Sequence, residues 1–333
     1  MSIIVFDLEW NQPVDGMDSK DRKLQFEILE IGAVKLDDDG KVLDSFNELV
    51  RPVVYDKLNW HTRKMLNISM KELENGKLFV DVCKSFLDWC GENPTFCTWG
   101  TQDLTELQRN MRYFNMEPLS DGPIPFYNVQ YLFSLQIKDE EKVYNLESAV
   151  DKIELEKDIP FHRAYSDAYY TAKIFNIVDK KYLSRGKAYD LFHLPGQTKD
   201  EINEYNYGQY YYVSKLYNER EELVSNRKIM AINCFKCGKR SLRPKTRWFS
   251  GNSKIYYGAA YCSFHGPVVG KLRIKSAENG GYYAEKFLKY SDAEGLKEIK
   301  TKKENLKKKA KESGKDNTRE QIHSHKKTSR RIL

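Results

Sequence analysis

Apolar and polar positions change period several times along the 333-residue chain. The opening "MSIIVFDLEWNQ" runs a wholly apolar segment, Ile3 to Phe6, into two carboxylates one residue apart. Alternate side chains of a strand share a face, so Asp7 and Glu9 point one way and Leu8 the other. "FEILEIGAVKLDDDGKVLDSFNELVRP" reads as two more strands, with Ile28, Ile31, Ala33 and Val34 apolar, a turn at "DDDG", and extended chain up to Pro52. The three strands form an antiparallel meander. Helical spacing follows at Val80, Cys83, Phe86, Leu87 and Cys90 until Gly91 and Pro94 stop it. "TFCTWG" is a short buried strand, followed by a helix from near Thr101 carrying Leu104, Leu107 and Met111. "FYNVQYLFSLQI", "NLESAVDKIEL" and "AYSDAYYTAKIFNIVDKKYL" are helical, and no internal repeat interrupts them. Strands mixed with helices over residues 1–182 predict an α/β domain: a mixed sheet flanked by helices.

The rest of the chain changes character. Residues 183–228 include the Tyr-rich "EINEYNYGQYYYVSKLYNEREELVSN", expected as a helical connector whose rings pack against its neighbours. Residues 229–292 carry paired Cys knuckles on probable strands, a small zinc-ribbon-like β domain, and residues 293–333 form a basic tail, helical or disordered. The tail holds 14 Lys/Arg against 6 Asp/Glu, so the whole net charge of +7 lies there. A stretch such as "KTKKENLKKKAKES" is either a solvated end or a holder of polyanions. A hydrophobic content of 40% argues for globular folding over most of the length. No apolar run reaches the roughly 20 residues that span a bilayer, and the N-terminus has no cleavable apolar stretch, so the expected location is cytoplasmic, without membrane contact. Of six cysteines, Cys83, Cys90 and Cys97 fall on apolar positions as small core residues and the others cluster elsewhere, which suits reduced thiols rather than disulfides.

Two like charges held side by side repel unless a cation lies between them, and hard divalent cations want about six oxygen ligands. Asp103, just past a strand in the first turn of a helix, is one further candidate, although there it also simply complements the helix dipole. Asp167 is the other: it shares a helical face with Thr171 and Ile174, a costly place for an unpaired charge. His162, five residues earlier and just outside the helix, has a ring suited to moving a proton near neutral pH.

Asp-x-Glu at the end of the first strand, Asp at a strand-to-helix junction, and His-x-x-x-x-Asp opening the last helix occur in one order within residues 1–182. With "EIGAVKLDDDGKVLDSF", "TWGTQDL" and "HRAYSDAYYTA", this resembles the DEDDh 3′–5′ exonuclease superfamily, of ribonuclease H-like fold. "LVRPVV" and "TWG" look similar to the branch that holds the KinA-pathway sporulation inhibitor and the histone-mRNA exonuclease. The resemblance implies four metal-binding acids, Asp7, Glu9, Asp103 and Asp167, two Mg²⁺ or Mn²⁺ ions, His162 as general base, and 5′-mononucleotide products from single-stranded nucleic acid with a free 3′ end. RNA is favoured over DNA because that branch acts on RNA. Asn11 stands where the family commonly has Thr; it can hydrogen-bond a terminal sugar, and Trp10 can stack on the terminal base.

"CFKCGK" and "CSFHG" give Cys234, Cys237, Cys262 and His265, a Cys3His set suited to one structural Zn²⁺, with Gly238 and Gly266 closing the turns. The basic and aromatic residues around the knuckles, Lys236, Lys239, Arg240, Arg243, Lys245, Arg247, Trp248, Phe249, Tyr256 and Tyr257, suit a phosphate backbone and stacked bases, with a protein partner as the rival. The alternatives to trimming RNA are trimming DNA, and a regulatory adaptor that uses the zinc ribbon and basic tail.

Overall fold

The computed structural model describes residues 2–14, 24–66, 68–139, 142–206, 208–238, 242–252 and 254–312. The chain forms two compact units, Met1–Leu194 and Pro195–Leu333. In the first, strands β1 (Ile3–Asn11), β2 (Glu27–Leu36), β3 (Val42–Leu49), β4 (Thr95–Thr98), β5 (Ile124–Asn128) and β6 (Lys187–Asp190) make a sheet of order β3-β2-β1-β4-β5-β6. β1, β2 and β3 pair antiparallel as the expected meander, β4 and β5 join parallel, and β6 closes the edge antiparallel. The helices are α1 (Trp60–Leu66), α2 (Met70–Leu73), α3 (Phe79–Cys90), α4 (Asp103–Tyr113), α5 (Val129–Gln136), α6 (Leu146–Lys152), α7 (Ala164–Ile177) and α8 (Leu183–Gly186).

The alternation in β1 divides the core. Ile4, Phe6 and Leu8 pack with Val82, Phe86, Leu104 and Leu107 of α3 and α4, while Val5 packs with Leu132, Phe133, Tyr170 and Ile174 of α5 and α7. A charged residue continuing the odd-numbered row of β1 therefore points toward α7. Cys83, Cys90 and Cys97 are buried, and burial pushes the thiols of Cys83 and Cys90 up to about 12, the inert core thiols expected. "FYN", expected as the start of a helix, is instead the end of β5, and α5 begins after Asn128, whose side chain accepts from the Tyr131 N–H.

The first unit extends beyond residue 182. β6 pairs with β5, and the buried Asp190 carboxylate accepts hydrogen bonds from Thr105 and Gln108 of α4, which ties this strand to the main core. The helical connector is also corrected. Its Tyr-rich stretch forms β7 (Ile202–Asn206) and β8 (Gln209–Val213), with Gly208 at φ 79° between them. Aromatic side chains suit a pleated surface, and the stretch alternates: Tyr212 is fully buried while its neighbour Tyr211 takes the other face. After this hairpin the chain turns helical in α9 (Arg220–Ser225) and α10 (Arg227–Met230).

The β domain expected after residue 229 takes in more of the chain. β9 (Arg243–Asn252), β10 (Ile255–Cys262), β11 (Gly266–Ser276) and β12 (Tyr282–Tyr290) share one sheet with β7 and β8, of order β7-β8-β12-β11-β10-β9. One face carries Tyr212, Leu272, Ile274 and Ala284 against Leu223 and Ile229 of α9 and α10. Lys286 is buried on that face, and its ammonium donates to the carbonyls of Lys228, Ile229 and Ala231 at 2.8, 3.1 and 3.1 Å, satisfying the end of α10. The basic tail begins as helix α11 (Ala293–Glu312), and residues 313–333 lie outside the described part. Among the described residues no helix is long and apolar enough to cross a membrane.

Candidate active site

Asp7 and Glu9 come from the odd-numbered row of β1, Asp103 opens α4 directly after β4, Asp167 lies in the first turn of α7, and His162 just precedes that helix. All five line one cavity of about 410 Å³, whose wall also includes Trp10, Met65, Trp99 and Gln130. Carboxylate oxygens of Asp7, Glu9 and Asp167 lie within 4.8 Å of one another. Asp103 stands outside that triplet but on the same wall.

Bringing these acids together is costly. Burial, followed by repulsion from Asp103, Glu9, Asp167 and Glu30, raises Asp7 well above the usual carboxylate range. Burial and then Asp167, Glu30 and Asp103 push Glu9 up to about 9, against a downward pull from Arg163. Burial raises Asp103 to about 7 although the backbone N–H groups of Asp103 and Leu8 favour its charge. Burial likewise raises Asp167 to about 6, opposed by the His162 backbone N–H, which donates to Oδ1 at 3.2 Å. Buried acids that repel one another in this way suit hard cations, which favour the ionised forms.

The His162 ring is exposed, and its backbone sits in the left-handed region at φ 65°, uncommon outside glycine. Local strain of this kind gathers at functional sites because surrounding contacts hold it. Here the contact is the one to Asp167, which fixes the turn leading into α7.

Two further residues were not foreseen. Glu30 lies opposite Glu9 in the β1–β2 register, a like-charge pair inside a sheet. Arg163, the residue preceding α7, resolves it with a fork to Glu30: Nε donates at 2.9 Å and Nη2 at 2.8 Å. The pair fastens the start of α7, and with it His162 and Asp167, to β2. A signal was present, since Glu30 interrupts the apolar run Ile28 to Val34 and a buried charge there demands a partner.

Asn11 does not belong to the site. It is fully buried; its amide donates to the Lys57 carbonyl at 2.9 Å and its Oδ1 accepts the Asn59 N–H at 2.9 Å, so both ends hold the 57–59 segment. The β1–β2 register shifts between Glu9 and Trp10, just before the position at which the resemblance places a sugar-binding side chain. Trp10 does line the cavity, with its ring tilted against Phe26 at 5.2 Å.

In the second unit, Cys234, Cys237, Cys262 and His265 converge with ligand atoms within 4.8 Å. Cys237 Sγ to Cys262 Sγ is 3.8 Å, and His265 Nδ1 lies 3.3 Å from Cys234 Sγ and 3.7 Å from Cys262 Sγ. A tetrahedron with metal–sulfur bonds of about 2.3 Å has S–S edges of about 3.8 Å. Gly238 and Gly266, at φ 67° and 83°, turn both knuckles as expected. Burial opposes ionisation of Cys234, but hydrogen bonds from the Tyr290 hydroxyl, from the backbone N–H and side chain of Cys237, and from the Lys236 N–H bring it down to about 6.

Residues 4–175 match the Exonuclease family RNase_T, a span containing all five residues of the cavity cluster. The chain belongs to that family. It is similar to the probable 3′–5′ exonuclease KapD of Bacillus subtilis, 30% identical over 192 residues, which is 56% of this chain and 89% of that protein. It is a 3′–5′ exonuclease. Solved structures similar to it include the nuclease domain of 3′hExo, a DEDDh family member, bound to rAMP (19% identity, 56% of this chain and 92% of that one, TM-score 0.45). Another is S. pombe Pop2p in its Mg²⁺- and Mn²⁺-bound form (18% identity, 56% and 87%, TM-score 0.43). The exonuclease family match ends before the second unit begins.

A methyl group tests how closely the exonuclease packs around its acids. Gly32 faces Asp7 across β1–β2, and a Cβ there would fall 2.0 Å from the Tyr165 nitrogen and 2.1 Å from the Ala164 carbonyl carbon. Both are backbone, so α7 itself must retreat. The Gly32→Ala exonuclease is expected to lose about 10²-fold in kcat, the usual cost of a 1 Å misplacement, and about 1–3 kcal/mol of stability, read by nucleotide release and thermal melting.

Proposed function

We propose that the chain shortens single-stranded nucleic acid from its 3′ end, RNA in preference to DNA, releasing 5′-mononucleotides with the help of two Mg²⁺ or Mn²⁺ ions. The observation that carries this reading is the convergence of Asp7, Glu9, Asp103 and Asp167 on one cavity wall, three of them with oxygens within 4.8 Å. These four carboxylates would hold the ions. When bound, the ions supply activation of a water and stabilisation of the leaving 3′ oxygen.

The side chains supply the rest. β1 and the starts of α4 and α7 carry the four carboxylates on one cavity wall, where bound cations would keep them ionised. His162, exposed at the cavity and anchored through its N–H to Asp167, takes the proton of the attacking water on an imidazole nitrogen. Trp10 offers a ring face at the wall for the terminal base. The preference for RNA rests on the resemblance to the branch that includes the histone-mRNA exonuclease. Cys234, Cys237, Cys262 and His265 would hold one Zn²⁺; four protein ligands complete its tetrahedron, so this ion is structural.

The matched test measures mononucleotide release from single-stranded RNA, single-stranded DNA and duplexes, each with Mg²⁺ or Mn²⁺. Faster release from single-stranded RNA supports the reading, and faster release from duplex DNA removes it. For the proton transfer, His162→Asn is the informative variant, because Asn tolerates the left-handed backbone. Its kcat should fall about 10²- to 10⁴-fold with KM little changed. A kcat within threefold of the parent would take the general base away from His162.

A further inference from the structure

The sheet of the second unit has a row of rings that its core does not use. Register partners run Tyr211 (β8), Phe287 (β12), Lys271 (β11), Tyr257 (β10) and Phe249 (β9), so the five side chains share one face, opposite the row of Tyr212, Lys286, Leu272 and Tyr256. Tyr211 and Phe287 lie 4.7 Å apart, and Phe249 and Tyr257 6.0 Å apart. Phe287 is 37% exposed although β12 is interior to the sheet, where an unused ring would ordinarily be covered.

Cations accompany the rings. The Arg273 guanidinium stands 5.8 Å from the Phe287 centroid, and α11 brings Lys302 to 3.8 Å from Tyr257 and Lys303 to 5.7 Å from Phe249. Lys275 and Lys289 are exposed on the same strands. Two acids lie on this face: Glu204 of β7, the register partner of Tyr211, and Glu285, which is paired with Lys275 at 3.0 Å and Arg273 at 3.7 Å. The ring set expected from sequence is divided by this geometry: Trp248 and Tyr256 turn to the core, Phe249 and Tyr257 to this face, and Tyr211 and Phe287 join them.

We propose that this face binds single-stranded nucleic acid, with bases stacked on Phe287 and Tyr211 and phosphates held by Arg273, Lys275, Lys289 and the lysines of α11. Flat rings on an open sheet accept any base, and the surrounding positive charge suits a polyanion rather than an apolar protein surface. The proposal rests on the nucleic-acid reading of the first unit but concerns residues outside its family match.

The test uses the full chain and fluorescence anisotropy with 20-nucleotide single-stranded RNA, the same sequence as DNA, and a duplex, without added Mg²⁺ or Mn²⁺. Phe287→Leu keeps apolar bulk but removes the ring, and should weaken single-strand binding about tenfold, while Phe287→Trp restores it. A fall for RNA alone, DNA alone or both supports the site and identifies its strand. Unchanged affinity in Phe287→Leu, equal loss in the Leu and Trp variants, or tighter binding of duplex overturns it. Nucleotide release by the parent, measured separately with Mn²⁺, keeps the two readings apart: binding without release would sink the trimming reading alone.

Discussion

Asp7→Asn should leave nucleotide release at least about 10³-fold below the parent, yet the metal-free variant should melt at a higher temperature than the metal-free parent at pH 8. The loss of activity follows from removing a carboxylate at the centre of the donor set. The gain in stability follows from the same side chain, which is buried beside Glu9, Asp103 and Asp167 with no cation of its own. An uncompensated buried group costs about 1–3 kcal/mol, and each kcal/mol moves the melting temperature by about 2–4 °C in a domain of this size. Asn keeps the shape and discards the charge.

The pH dependence has a definite sign. Glu9, Asp103 and Asp167 have folded values of about 9, 7 and 6, all above the unfolded range near 4. The native state therefore holds protons that the unfolded state has released, and stability present below pH 4 is lost as pH rises through 6, 7 and 9. The metal-free parent should melt progressively lower from pH 5 to pH 9. Saturating Mn²⁺ should flatten that slope, and Asp7→Asn should flatten it partly. Calorimetry across this range, with and without Mn²⁺, is the measurement. A parent that gains stability with pH when metal-free, or an Asp7→Asn variant that keeps full activity, would refute the description of these acids as a cation-dependent cluster.

The acids were legible in sequence because each sits in a local pattern with its own physical meaning: alternation for Asp7 and Glu9, a strand-to-helix junction for Asp103, a helical face for Asp167. What escaped depended on contacts across long separations. The Glu30–Arg163 fork joins residues 133 apart, and nothing local announces it beyond a charge in an apolar run. The part of Asn11 escaped because its partners, the Lys57 carbonyl and the Asn59 N–H, lie 46 and 48 residues away, and a family position alone does not reveal them. Tyr211 and Tyr212 were read as parts of a helical connector because their strand character becomes visible only when β12 supplies Phe287 and Lys286 beside them. The cysteine knuckles, by contrast, carried their geometry in spacing and glycine placement, and both glycines hold the left-handed turns this requires.

Removal of zinc is expected to unfold the second unit while sparing the first. The four ligands join the turn at Cys234–Cys237 to the β10–β11 hairpin, where Cys262 pairs with Gly266 in the register. Phe235, between the first two cysteines, packs on Tyr290 at 4.4 Å and Tyr205 at 5.2 Å, so the same turn also anchors the start of the sheet to its last strand. Without an ion, the thiolate that Cys234 forms from about pH 6 would lie beside the other ligand atoms with no metal to bind it. Structural zinc contributes about 10–16 kcal/mol of binding free energy near pH 7, more than a small sheet holds in reserve. Purified, reduced protein should contain one equivalent of zinc. Cys234→Ser should lose the ion and the calorimetric transition of residues 195–333, and keep release of nucleotides from a 3′-labelled trinucleotide in Mg²⁺. Zinc retention should weaken as pH falls through about 6, where protons compete for the Cys234 thiolate. Less than half an equivalent of zinc, or an unchanged second transition in Cys234→Ser, would show that the four side chains hold this turn without a metal.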